Sequence, residues 1–308
     1  MKTRNLSTAL AVAFGSLFSV TAAFGQTING TGYKGIVNNG TANTGNWSNS
    51  GNWDKTGPGF NERNLFFGQA YKAAGGTNFI SNNDIAGYAG YRITFQDSNA
   101  AGNGTDGSSA NDTAFTITGN CFTLFDFGGN DFPRIENNSF VTQTFTLTSG
   151  NTITLSGTGG GGKAEINPVN GDLVFSTGTK IDLAGTTQLF IFGGTGKTVT
   201  FNDVISSSGN GGLNSVVIKG GTAVYGAANT YGGGTFIDNG TVKLGINGAI
   251  LSTSSVQLGS GTTSGVLDLN SKTQTLAGLT TNGTGAANNV VNTGATSGTL
   301  TLNIASVV

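Results

Sequence analysis

The sequence predicts an all-β protein, and more specifically a right-handed parallel β-helix (β-solenoid) with three short strands per rung. Three observations support this prediction. Apolar and polar residues alternate over short runs such as RITF and TFTLTSG, which is typical of strands that bury one face. Glycine, asparagine, aspartate or serine follows almost every run, and these residues favour turns. After the N-terminal segment, no run of ten or more residues has the spacing of a helix.

Residues 1–25 are predicted to be a cleaved signal peptide. They have a basic start and an apolar middle, and Ala23 and Gly25 supply the small residues expected just before cleavage at Gln26. The alternative is a single membrane anchor, but the apolar stretch is short for a span and is interrupted by glycine, serine and threonine. The sequence therefore predicts export, with no transmembrane segment after cleavage.

Residues 26–90 are rich in glycine, asparagine, threonine and serine, and are predicted to form a polar cap on the β-helix. Trp47 and Trp53, the two tryptophans of the chain, are expected to cover one end of the core rather than to stack on a ligand. The β-helix itself is predicted over residues 91–308. Pairs of apolar residues recur there about every 8 residues, so three strands would make a rung of roughly 20–30 residues.

A β-sandwich is the alternative fold, because its turns recur at a similar spacing. Two features favour the β-helix. Asn-Gly is often followed directly by threonine and another strand, which leaves little room for a loop. Only 9% of the residues are charged, which suits a stack in which like charges one rung apart would repel while threonine, asparagine and serine form ladders.

The composition excludes several classes of function. The Lys and Arg residues that remain after signal cleavage are spaced singly, so nucleic acid is not expected as a partner. The chain has no histidine, which excludes Ser-His-Asp and Cys-His catalysis and histidine-ligated zinc. The single Cys121 cannot form an intrachain disulfide, and its place at the edge of an alternating run predicts a small buried side chain.

Two segments suggest ligands at first sight. GGTGKTVTF ends like a phosphate-binding loop, but Ile191 stands where that loop needs glycine, and TVTF is predicted to be a strand rather than a helix. Asp106 and Asp112 supply oxygen donors for calcium, but their spacing matches no known calcium loop, and a solvated loop is expected. The sequence therefore predicts neither a cofactor nor a metal.

One cluster of charged residues supports an enzymatic alternative. Asp131, Arg134 and Glu136 lie together in GGNDFPRIEN. A glycosidase needs two carboxylates about 5–10 Å apart, and some parallel β-helices are polysaccharide lyases or hydrolases. The competing interpretation of these three residues is an exposed ion pair without catalytic function.

The C-terminal third contains a specific motif. The segment GGTAVYGAANTYGGGTFIDNGTVKLGINGAI resembles the autotransporter-associated β-strand repeat, also called the passenger-associated transport repeat. SVQLGSGTTSGVLDLNSKTQTLAGL resembles the segment that usually follows, so the resemblance spans residues 220–279. Val242 stands where leucine is usual. The residues that match the motif are Asn229, Thr230, Tyr231, Gly233, Thr235, Gly240 and Leu244.

The motif is interpreted as structural. Asn229 and the glycines are expected to form a tight corner, because both tolerate left-handed backbone conformations. Tyr231 is expected to lie over this corner or at the edge of the core, with its hydroxyl in water. Thr235 and Phe236 are expected to begin the next strand.

The resemblance implies an exported protein of the surface or extracellular matrix of a Gram-negative-type bacterium. Members of this family have β-helical passengers and usually no known catalysis, so it implies a structural or adhesive function without an enzymatic one. The expected partners are cell-surface glycans or other copies of the chain. GTLTLNIASVV reads as part of a strand, so we expect either a longer gene product or end-to-end assembly into fibres. The alternative function is a carbohydrate-active β-helix enzyme.

Overall fold

The computed structural model describes residues 30–33, 44–48, 64–68, 78–97, 107–110, 112–126, 132–148, 151–157, 162–185 and 187–303. The predicted signal peptide, Trp53, Asp106 and Asp131 lie outside these residues. The described residues form strands and turns, with one short 3-10 turn at Asn210–Gly212. None of their helices is long and apolar enough to cross a membrane.

The strands are short and follow one another along the whole described chain. In chain order they are β1 (Gly30–Tyr33), β2 (Thr44–Asn46), β3 (Asn64–Phe67), β4 (Asn78–Asn83), β5 (Tyr88–Gly90), β6 (Arg92–Phe95), β7 (Ala114–Gly119), β8 (Phe122–Phe125), β9 (Arg134–Asn137), β10 (Gln143–Leu147), β11 (Asn151–Gly157), β12 (Lys163–Pro168), β13 (Leu173–Phe175), β14 (Thr179–Gly185), β15 (Gln188–Ile191), β16 (Thr198–Phe201), β17 (Ile205–Ser206), β18 (Val216–Ile218), β19 (Thr222–Tyr225), β20 (Thr235–Ile237), β21 (Gly240–Leu244), β22 (Ser255–Gly261), β23 (Gly265–Asp268), β24 (Thr273–Leu276), β25 (Gly278–Gly283), β26 (Asn289–Val291) and β27 (Thr299–Leu302).

Successive strands take their places on three faces of a coil. Sheet A has the order β1-β3-β6-β9-β12-β15-β18-β20-β22-β25, and sheet B has the order β2-β4-β7-β10-β13-β16-β19-β21-β23-β26. The third face holds sheet C, β5-β8-β11-β14-β17, and the two-stranded sheet D, β24-β27. The pairings between these strands are parallel. The predicted all-β parallel β-helix is therefore confirmed.

The strands of the β-helix begin well before residue 91, where the sequence places the boundary with the N-terminal region. Strands β1 and β3 already pair in sheet A, and β2 and β4 already pair in sheet B. Trp47, just after β2, is fully buried and packs against Phe67, Tyr88 and Phe122. Its indole Nε1 donates a hydrogen bond of 2.8 Å to Ser81 Oγ, which satisfies the one polar atom of this core side chain.

Rungs with a strand on each face continue as far as β17. The next two rungs have strands in sheets A and B but only turns on the third face, until β24 restores a strand there. The rung shortens accordingly, from 27 residues between the partners Leu189 and Val216 to 19 residues between Val216 and Thr235.

The core is a stack of side chains that repeats from rung to rung. Because alternate residues of a strand point to the same face, Phe145, Phe175, Phe201 and Tyr225 lie directly above one another on sheet B. The ring centroids of successive members are 5.0, 5.2 and 6.3 Å apart. We call this column the aromatic ladder.

Cys121 is exposed, and the prediction that it is buried is wrong. It immediately precedes β8, in which Phe122 and Leu124 are the buried side chains. The alternation of this strand therefore places Cys121 on the opposite side from the core.

Candidate functional site

The outer face of sheet A collects charged and aromatic side chains. On neighbouring rungs, Arg134 of β9 is paired with Glu165 of β12, and Glu165 is paired with Phe190 of β15. Two residues further along the same strands, Glu136 is paired with Asn167. Paired residues of neighbouring strands lie about 5 Å apart, so residues far apart in sequence form one surface. We call this surface the sheet A patch, and it consists of Arg134, Glu136, Glu165, Asn167, Phe190 and Phe192.

An ion pair lies at the centre of the patch. Arg134 Nε is 2.7 Å from Glu165 Oε2, and Arg134 Nη1 is 4.0 Å from Glu136 Oε1. The guanidinium also lies over the ring of Phe132, 5.2 Å from its centroid. Burial raises the pKa of Glu165 above its ordinary value, and the attraction of Arg134 opposes this shift only in part.

A groove beside this ion pair is bounded by an exposed aromatic ring. The groove has a volume of about 270 Å³ and is lined by Arg134, Glu165, Asn167, Val169, Phe192 and Gly194. Phe192 is 39% exposed. Its ring is nearly parallel to that of Phe190, with 6.1 Å between the centroids. A flat ring, a guanidinium, a carboxylate and an amide thus converge on one groove.

Two lysines flank the ring of Phe190. Lys163 Nζ and Lys219 Nζ lie 5.5 and 5.7 Å from its centroid, within the range of cation–π attraction. Lys219 Nζ also forms an ion pair of 2.5 Å with Asp238 Oδ2. These contacts hold Phe190 in place behind the more exposed Phe192.

The structure brings together part of the predicted acid/base cluster. Arg134 and Glu136 lie on one strand and on the same face, while Asp131 is outside the described residues. Glu165 is the main partner of Arg134, and sequence reasoning missed it. The pair forms only when a whole rung, 31 residues long, brings the two strands into register. The sequence feature that could have indicated Glu165 is its polar position in the alternating run KAEIN, which places it on the outer face of a strand.

Several acidic side chains on other faces stabilise turns. Asp172 Oδ1 accepts a hydrogen bond from the backbone N–H of Thr198, and Asp203 Oδ2 accepts one from that of Gly178. Asp112, which the sequence offered as a calcium ligand, accepts one from the backbone N–H of Phe140. In the part of the chain that the structure describes, no group of three or more Cys, Asp or Glu residues could hold a metal ion.

The repeat motif forms the turn between β19 and β20. Asn229 is 2% exposed, and its Oδ1 accepts a hydrogen bond of 2.8 Å from the N–H of Ile205 on the preceding rung. The N–H of Thr230 donates to the carbonyl of Ile205 at 3.0 Å. Asn229 and Thr230 thus provide the pairing that a strand would otherwise supply on the third face.

The hydroxyl of Tyr231 is in the core, and the prediction that it reaches water is wrong. Tyr231 is 1% exposed, and its hydroxyl donates to that of Tyr225 at 3.1 Å and lies 2.7 Å from Thr235 Oγ1. The two buried partners replace water as hydrogen-bonding groups. Burial raises the pKa of Tyr231 to about 12. It also raises the pKa of Tyr225.

The left-handed backbone predicted for Asn229 and the glycines is present at Gly234 and Gly240 but not at Asn229 or Gly233. A Cβ on Gly233 would lie 2.1 Å from the carbonyl oxygen of Leu213, so this position accepts only glycine without a shift of backbone. Gly240 has φ +107°, a conformation that side chains rarely adopt. Thr235 begins β20 as expected. Leu244 is buried in β21 beside Tyr225.

Comparison of the chain with models of known protein families, with curated proteins and with solved structures finds no match.

Proposed function

We propose that this chain is an exported, non-enzymatic structural and adhesive protein of the bacterial surface or extracellular matrix. The groove of the sheet A patch is the observation that carries the adhesive part of the proposal. The signal-like N-terminus and the resemblance of residues 220–279 support export and surface display. The long parallel stack supports a structural role, because each rung adds length to a stiff coil.

The chemistry of the groove suits a glycan. The aliphatic face of a sugar ring packs on an aromatic ring, whose face carries partial negative charge, and Phe192 offers such a ring. Arg134, Glu165 and Asn167 offer a donor, an acceptor and a group that does both, which suits the hydroxyls of a sugar. Arg134 and Glu165, the charged residues that line the groove, balance one another, which favours a ligand with little net charge.

A glycan array with the mature chain, residues 26–308, tests the adhesive function. Phe192→Ala removes the stacking surface, and we expect it to weaken binding at least tenfold. Ile80→Ala is the matched control, because Ile80 is 40% exposed on a strand of sheet B and lies outside the patch. Equal glycan binding by both variants, or no glycan binding by the unaltered chain, would refute adhesion through this patch.

A carbohydrate-active enzyme is the second candidate, favoured by the raised pKa of Glu165. A carboxyl group that holds its proton at higher pH suits a general acid, and Glu136 on the neighbouring rung is the second carboxylate that such an enzyme needs. Oligosaccharides that bind in the array would then be cleaved, and Glu165→Gln would abolish cleavage while retaining binding. Binding without cleavage by the unaltered chain decides in favour of adhesion.

Self-association is part of the proposal. Within the described residues, β25, β26 and β27 each pair along one edge only, and an unpaired strand edge can accept a further strand. Electron microscopy of the mature chain over a range of concentrations tests this. Filaments of uniform width would support end-to-end assembly, whereas single short rods at all concentrations would refute it.

A further inference from the structure

The two rungs without a strand on the third face leave a groove between sheets C and D. Its volume is about 660 Å³, within the range of small-ligand sites. We call it the third-face groove. It is lined by Ala228, Asn229, Thr230, Asn247, Gly248, Ile250, Leu251, Ser252, Thr273, Gln274 and Thr275.

Side-chain amides already pair the backbone along this groove. The N–H and carbonyl of Ile205 are bonded to Asn229 Oδ1 and to the N–H of Thr230. The N–H of Ile250 donates to Gln274 Oε1 at 3.0 Å, and Gln274 Nε2 donates to the carbonyl of Ile250 at 2.7 Å. Because Ile205 and Ile250 have their partners, these positions offer no open strand edge to an extended peptide.

The groups that remain for a ligand are uncharged. Thr230, Ser252 and Thr273 are exposed hydroxyl residues, and a hydroxyl can both donate and accept hydrogen bonds. None of the lining residues carries a charge. Leu251 is half-buried beside the buried Ile250 and adds apolar surface.

One buried donor in the groove has no partner. Asn229 is 2% exposed, and its Nδ2 makes no hydrogen bond, although its Oδ1 is bonded to Ile205. An unpaired buried amide nitrogen lowers the free energy of unfolding, because it has lost its hydrogen bonds to water. Because this nitrogen has almost no exposed surface, a ligand recovers part of that cost only through a small shift of the Asn229 side chain that brings the nitrogen to an acceptor.

From these contacts we infer that the third-face groove binds a segment of a neutral oligosaccharide. Hydroxyl-rich ligands match the threonine and serine hydroxyls, the apolar face of a sugar ring matches the half-buried Leu251, and the lack of charge disfavours uronic or sialic acids. The third-face groove is on a different face from the sheet A patch. The inference therefore does not depend on adhesion through that patch.

Two adjacent hydroxyl residues provide a matched test. Ser252 lines the groove, whereas its exposed neighbour Thr253 does not. Ser252→Trp is expected to fill the groove, and Thr253→Trp places a ring of the same size just outside it. Binding of a panel of neutral and uronic-acid oligosaccharides, two to six sugars long, is measured by calorimetry in the Phe192→Ala background, which lacks the stacking ring of the sheet A patch.

We expect neutral oligosaccharides to bind the Phe192→Ala chain at least tenfold more weakly than the unaltered chain, and we expect this remaining binding to fall at least a further tenfold in Ser252→Trp and not at all in Thr253→Trp. Thermal unfolding of both tryptophan variants confirms that they are folded. Equal binding by the two variants, binding of uronic-acid sugars alone, or no binding of neutral sugars would each overturn the inference.

Discussion

At the scale of single residues, Gly233 is the position where the backbone leaves no space for a side chain. A Cβ there would lie 2.1 Å from the carbonyl oxygen of Leu213 and 2.8 Å from the backbone carbon of Asn214. We expect Gly233→Ala to lower the free energy of unfolding by about 3 kcal/mol. In Gly278→Ala, the new Cβ meets only Ser255 Cβ at 3.7 Å, so this control is expected to stay within about 0.5 kcal/mol of the unaltered chain. Denaturant titration measures the free energy of unfolding of both variants, and equal values would contradict the packing argument.

The buried tyrosine pair predicts loss of stability at alkaline pH. Burial raises the pKa of Tyr231 to about 12 and also raises that of Tyr225, whereas tyrosines of the unfolded chain ionise near 10. Above pH about 10 the unfolded chain therefore loses protons that the folded chain keeps, and stability falls as the pH rises. Replacing both tyrosines with phenylalanine removes both ionisable groups. We expect this double variant to lose less stability between pH 9 and 12, as measured by denaturation, and an unchanged pH dependence would contradict the assignment.

The sequence predicts where the corner lies better than it predicts which side chains form hydrogen bonds there. The spacing of asparagine and glycine is enough to place the turn and the start of β20. The hydroxyl of Tyr231 could not be placed, because its environment depends on Tyr225 and Thr235 converging inside the core. The Arg134–Glu165 pair could not be predicted for a similar reason, because the length of a whole rung sets which strand positions lie side by side.

At the scale of the elements, side-chain amides on the third face replace a strand. Gln274 is 1% exposed and bonds both the N–H and the carbonyl of Ile250. Gln274→Ala would leave these two buried groups unpaired, and we expect a loss of about 2–4 kcal/mol. Hydrogen exchange at the Ile250 amide should then accelerate strongly.

A second glutamine provides the control. Gln257 lies on β22 with a half-buried side chain on the outer face, so Gln257→Ala is expected to have little effect on the exchange of Ile250. Similar exchange rates in the two variants would show that the Gln274 amide does not hold this part of the third face.

Strands were predictable wherever apolar and polar residues alternate. The absence of a strand on the third face of two rungs was not predictable. The runs at β6, β7, β10 and β16 alternate cleanly, and each is a strand. The turns around Asn229 and Ile250 have no such period, because single amides rather than alternating residues make the pairing. Rung length is also hidden in a single sequence, since insertions lengthen a turn without changing the strands that flank it.

At the scale of the molecule, the aromatic ladder couples successive rungs. Phe175 lies between Phe145 and Phe201, with centroid distances of 5.0 and 5.2 Å, and is fully buried. In a solenoid each rung contacts mainly its neighbours, so stability propagates through such contacts along the axis. Phe175→Ala removes a ring from the middle of the ladder and leaves a cavity. We expect it to cost about 3–5 kcal/mol.

This substitution should also change how cooperatively the stack unfolds. With the contacts of β13 to both β10 and β16 weakened, the rungs before and after β13 are expected to unfold in separate steps, seen as a broadened or split calorimetric transition. Val174→Ala is the control, because Val174 lies on the same strand but is only half-buried. It should lower stability by less and keep a single sharp transition. A single sharp transition in Phe175→Ala as well would mean that hydrogen bonding between strands, rather than the aromatic ladder, couples the two parts of the β-helix.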